Sequence, residues 1–94
     1  MARAIFNGTI VAESDDFEIV EGNVYFPPGS LTEGCFQPTD HTTVCGWKGT
    51  ANYYSVEAGG KAAENGAWTY HDPKPDAANI KDHVAFYPIV TVLR

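Results

Sequence analysis

The chain has 94 residues, with six lysines and arginines against twelve aspartates and glutamates, a formal charge of 6 − 12 = −6 at pH 7. That length holds one domain, residues 1–94, with a modest core and no room for a catalytic domain beside a binding domain; 44% hydrophobic and 13% aromatic residues exclude a disordered chain. The acidic balance repels phosphate backbones and anionic headgroups, and Arg3, Lys48, Lys61, Lys74, Lys81 and Arg94 form no basic cluster, so neither nucleic acid nor a membrane is an expected partner.

Residues 1–14, MARAIFNGTIVAES, reach the polar pair Asn7-Gly8 before any apolar signal region forms, and no run approaches the roughly 20 apolar residues of a membrane helix. A cytoplasmic protein with Cys35 and Cys45 as free thiols is the expectation. The same stretch places two apolar runs around Asn-Gly, the pair that tolerates a type I′ turn, which predicts a hairpin over 3–12. FEIV-EGN-VYFP repeats the device with a three-residue turn, and Pro27-Pro28 ends its second strand.

Residues 28–41, PGSLTEGCFQPTDH, show no period and read as a loop between sheets. A strand follows from Thr42 to Cys45, turns through GWKG, and returns as TANYYSVEA, with Ala51, Tyr53, Ser55 and Glu57 on one face and Asn52, Tyr54 and Val56 on the other. Gly59-Gly60 and the polar KAAENG lead to a short strand, AWTY, stopped by HDPKP. Asp76 is placed to cap one short helix near 76–83, and HVAFYPIVTVLR reads as two strand pieces around Pro88. The fold class is therefore mainly β: antiparallel hairpins forming two packed sheets, as a sandwich or an open barrel.

No stretch carries a cofactor signature, and none is expected. Cys35, Cys45, His41, His71 and His83 lack the close pairing of zinc ligands, so no metal site is expected either. GWKGT has a lysine between glycines but lacks the spacing and the following helix of a P-loop. A lysine on a hairpin turn still holds an anion as a point charge, or covers an aromatic ring with its stem. Cys45, three residues before Lys48, is a candidate nucleophile only if the turn folds Lys48 back. Tyr25, Trp47, Tyr53, Tyr54, Trp68, Tyr70 and Tyr87 are more amphipathic aromatics than so small a core fully buries, which points to an aromatic-lined groove or an interface. Lys48, His71, Asp72, Lys74 and His83 are the polar groups suited to share it.

The stretches NGTIVAES, VYFPP, TTVCGWKGTANYYSV and AWTYHDPKPDAANIKDHVAFYP together resemble the family catalogued as domain of unknown function 427, over nearly the whole chain. The resemblance implies a compact, mostly β fold with two antiparallel sheets packed across one another. It carries a nucleotidyltransferase-type label, though the chain shows neither a G-S…D-x-D metal pair nor a P-loop. The motif positions fall on Asn7, Gly8, Tyr25, Phe26, Pro27, Thr43, Cys45, Trp47, Lys48, Gly49, Ala51, Tyr53, Trp68, Tyr70, Pro73 and Phe86; Gly46 and Gly29-Ser30 depart from the family pattern.

Three functions follow as expectations. The first is a domain binding a small anionic ligand around CGWKG, through Lys48, Trp47, Cys45, Tyr25, Tyr53, Trp68 and Tyr70. The second is an enzyme of nucleotidyl or acyl transfer using Lys48 or Cys45, and the third a protein-interaction module. The sequence leaves the oligomeric state open.

Overall fold

The computed structural model describes all residues, Met1–Arg94. In chain order the strands are β1 (Ala2–Phe6), β2 (Thr9–Ser14), β3 (Glu18–Val20), β4 (Asn23–Tyr25), β5 (Phe36–Cys45), β6 (Gly49–Ala58), β7 (Lys61–Thr69), β8 (Val84–Phe86) and β9 (Thr91–Leu93). One 3-10 helix, Pro75–Ile80, lies between β7 and β8. The strands make three antiparallel sheets, ordered β2-β1-β9, β3-β4 and β5-β6-β7-β8, with no closed barrel. No helix is long and apolar enough to cross a membrane.

Turn chemistry sets the hairpins. Asn7 and Gly8 take φ of 50° and 76° between β1 and β2, the left-handed pair that a type I′ turn demands. Glu21 and Gly22 do the same between β3 and β4, at 54° and 79°. Val20 pairs with Asn23, so this turn has two residues and not the expected three.

Several expected loops are strand. β5 begins at Phe36 rather than Thr42, with Pro38 inside it. Proline is tolerated there because β5 is a sheet edge, pairing with β6 alone, and its register breaks between Pro38 and Thr42. β7 begins at Lys61 and runs through the polar KAAENG; its ladder with β6 is irregular between Tyr54 and Val56, and Asn65 takes φ 52°. Asp76 does not cap the helix. Lys74 occupies the N-cap position with no side-chain hydrogen bond, and Asp76 lies in the first turn.

The β5–β8 sheet is covered on both faces along β6, β7 and β8, while the edge strand β5 stays largely exposed. Tyr54, Val56, Ala67, Val84 and Phe86 join Ala2, Ala4, Phe6, Val11 and Ala12 in the larger core, against the β2-β1-β9 sheet. The opposite face carries Ala51, Tyr53, Tyr70 and Ala85 beneath Tyr25 and the helix residues Ala77 and Ile80. Two covered faces explain why both faces of β6 hold a tyrosine. Each fully buried Val or Phe contributes about 1.5–3 kcal/mol. Strand alternation sends Val24 and Phe26 into the first core and Tyr25 into the second. A single bridge, with N–H···O bonds of 2.8 and 2.9 Å between Phe26 and Val84, joins the second hairpin to β8. The hairpin then folds over the second face until Glu21 meets the β5–β6 turn.

Candidate functional site

Cys45 pairs with Gly49, so Gly46, Trp47 and Lys48 form the turn between β5 and β6. Gly49 has φ 115°, and a Cβ there would stand 3.4 Å from the Asp72 carbonyl oxygen; the position requires glycine. The neighbouring backbone N–H groups of Lys48 and, second, Trp47 hold the Cys45 thiol below the usual value. Lys74 braces the turn from outside. Its ammonium donates to the Gly46 carbonyl oxygen at 2.7 Å and its backbone N–H to that of Lys48 at 2.8 Å.

The Lys48 side chain turns inward, leaving the residue only 6% exposed. Its Nζ lies 5.4 Å from the centre of the Trp47 ring and 5.7 Å from that of Tyr70, within cation–π range. It pairs with Oε1 of Glu21, and the Trp47 indole N–H donates to Oε2 at 3.3 Å. Burial pulls the Lys48 pKa down, but the Glu21 carboxylate, with smaller help from Tyr25, Tyr70 and Cys45, outweighs it and leaves the ammonium above the usual lysine value. Glu21 is correspondingly held low by hydrogen bonds from Lys48 and then Trp47.

Around this pair the aromatics form a connected layer. Trp68 donates its indole N–H to the Tyr25 hydroxyl at 3.0 Å, the rings meeting edge to face at 85°. Burial raises the pKa of both Tyr25 and Tyr70. The Tyr53 hydroxyl lies 2.9 Å from that of Thr43 and 3.2 Å from that of Tyr87. The bond to Tyr53, followed by burial, pushes Tyr87 up to about 12.

Lys48, Trp47, Cys45, Tyr25, Tyr53, Trp68 and Tyr70 thus lie on one side of the β5–β8 sheet, but not as an open groove. Tyr25, Tyr53 and Tyr70 are buried floor; Trp47 and the half-buried Trp68 keep solvent-facing surface. Among the other polar candidates, Lys74 joins the turn, whereas His71 pairs with Asp82 at 2.8 Å and His83 with the Lys81 carbonyl oxygen at 2.9 Å. Asp72 contributes its backbone beside Gly49. Cys35 and Cys45 are both free, and no three His, Cys, Asp or Glu side chains gather as a metal-binding group. A cleft of about 610 Å³ opens beside the hairpin, between Asn23, Trp68, Tyr87 and Arg94; Lys48 does not line it.

Against this geometry, the profile of the family described as Domain of unknown function (DUF427) matches residues 1–93. The chain belongs to the DUF427 family. Comparison with curated proteins gives no match. In this DUF427 chain the shared-motif positions divide by location: Asn7-Gly8 make a turn, and Phe26 and Phe86 meet edge to face at 5.6 Å in the larger core. Tyr25, Cys45, Trp47, Lys48, Tyr53, Trp68 and Tyr70 gather around the second face. The residue missed from sequence is Glu21. Its one signal is an acidic side chain preceding glycine at the tip of a hairpin, and nothing there names Lys48 as its partner.

Proposed function

We propose that this DUF427 domain binds a small anionic ligand at the Cys45–Gly49 turn, with Lys48 as its electrostatic anchor. The observation that carries the reading is a buried, fully charged ammonium, fixed between Trp47 and Tyr70 and directed at a carboxylate. A buried ammonium, once its Glu21 partner is displaced, attracts negative charge more strongly than a solvated turn lysine does. We place the protein in the cytosol, where its two free thiols, Cys35 and Cys45, stay reduced.

An acyl-transfer enzyme is the second reading, favoured by the two backbone amides that stabilise a Cys45 thiolate. Lys48 itself, held protonated, is a charge stabiliser in either reading and not a base. A thermal-shift screen of wild type and Lys48→Met against nucleotides, sugar phosphates and carboxylates tests the first reading. A ligand at about 100 times its Kd adds roughly 2.7 kcal/mol of stability. A shift in wild type that is absent in a folded Lys48→Met supports it; no shift with any anion, either in wild type or in Glu21→Gln where the carboxylate on Lys48 is gone, overturns it and favours a protein-interaction module.

A further inference from the structure

Lys48 and Trp47 already hold a carboxylate, and it belongs to the protein itself. Each oxygen of Glu21 has its own donor, Oε1 the Lys48 ammonium and Oε2 the Trp47 indole N–H. Together they form a two-point receptor matched to a planar carboxylate. Lys48 is buried, and Lys74 fastens the turn at the Gly46 and Lys48 carbonyls. Glu21 is less enclosed. Its side chain is 49% exposed, it sits on a two-residue turn, and no further side-chain donor engages its carboxylate.

We propose that Glu21 is an intramolecular stand-in for the ligand, and that the ligand is a carboxylate whose oxygens replace those of Glu21 on Lys48 Nζ and Trp47 Nε1. This rests on the reading of the turn as an anion site and adds the ligand class and its built-in competitor. Trp47 is 42% exposed at the mouth of the receptor, so a ligand with a flat apolar body gains contact there. Benzoate is therefore a better probe than acetate. A tethered carboxylate competes at an effective concentration of order millimolar, so removing it strengthens binding of a free one.

The experiment is calorimetric titration, at constant ionic strength, of wild type, Glu21→Gln, Glu21→Asn and Lys48→Met with benzoate, acetate and inorganic phosphate. Asn suits the left-handed backbone of the turn and is shorter than Glu by one methylene, so the turn keeps its shape while the competitor is lost. Benzoate should bind both Glu21 variants at least about tenfold more tightly than wild type. It should also bind them more tightly than phosphate does, and leave Lys48→Met unbound. Equal benzoate affinity in wild type and both Glu21 variants overturns the stand-in while leaving the anion site. Phosphate binding more tightly than benzoate to Glu21→Asn overturns the carboxylate class. Absence of binding by every anion to every folded variant overturns this proposal together with the anion-site reading.

Discussion

The Lys74 ammonium donates to the Gly46 carbonyl oxygen at 2.7 Å across 28 residues of sequence, pinning the turn that carries Lys48. Lys74→Met keeps the backbone bond to Lys48 and removes only this side-chain donor. Its exposed setting limits the loss of stability to about 0.5–1.5 kcal/mol, to be read from urea unfolding midpoints. A loss well above that range would mean that Lys74 supports more than the turn.

Acid should weaken the hairpin contact through Glu21. A carboxyl with a depressed folded pKa contributes stability that is fully present above its unfolded value, 4.5, and lost as pH falls through the folded one. Wild type should therefore lose Tm more steeply than Glu21→Gln as pH drops below 4.5. Parallel curves for the two proteins would show that the pair does not couple to folding. Lys48 has the opposite sign: its raised pKa gives stability present below 10.5 and lost as pH rises through its folded value.

Tyr87 should ionise near 12, because its hydroxyl is tied to that of Tyr53 and partial desolvation adds to this. Tyr53→Phe removes the hydroxyl partner and should return Tyr87 toward the ordinary 10.0. Phenolate absorbance, compared with a Tyr87→Phe control to isolate this ring, measures the change. An unmoved titration would assign the shift to burial alone.

Cys45 should react with iodoacetamide at a pH below the usual thiol value of 9.0, whereas Cys35, buried in the larger core, stays protected until the protein unfolds. The principal donors to Cys45 are backbone amides, so Lys48→Met should retain most of this reactivity. Loss of reactivity in Lys48→Met would make the ammonium, not the amides, the stabilising group. Peptide mapping after timed alkylation separates the two thiols.

Much of the fold was legible because its turns use residues with a backbone preference. Asn7-Gly8 announces the first hairpin, the glycine of EGN marks the second although the turn proves one residue shorter than read, and Pro88 separates β8 from β9. The strand at Pro38 was hidden, since proline argues against a ladder unless the strand lies at an edge, and edge position is a property of the assembled sheet. KAAENG was hidden by its polarity, because β7 passes there through an irregular, partly exposed stretch. Lys48 stood out as a lysine among aromatics, yet Glu21 lies 27 residues earlier, and only the folding of one hairpin over the sheet brings them together. The three buried tyrosines were readable as amphipathic aromatics but not as floor rather than groove, since burial depends on what the helix and hairpin cover.

The protein's two tryptophans offer the most direct test, because each indole N–H has a different partner: Trp47 donates to Glu21 and Trp68 to Tyr25. The measurement is the pair of indole N–H resonances in a proton–nitrogen spectrum during titration with a carboxylate at constant ionic strength. An anion site on Lys48 predicts that the Trp47 signal moves and saturates while the Trp68 signal stays, with neither moving in folded Lys48→Met. Saturable movement of Trp68 with Trp47 unchanged would put the ligand in the cleft beside Tyr87 and contradict the account.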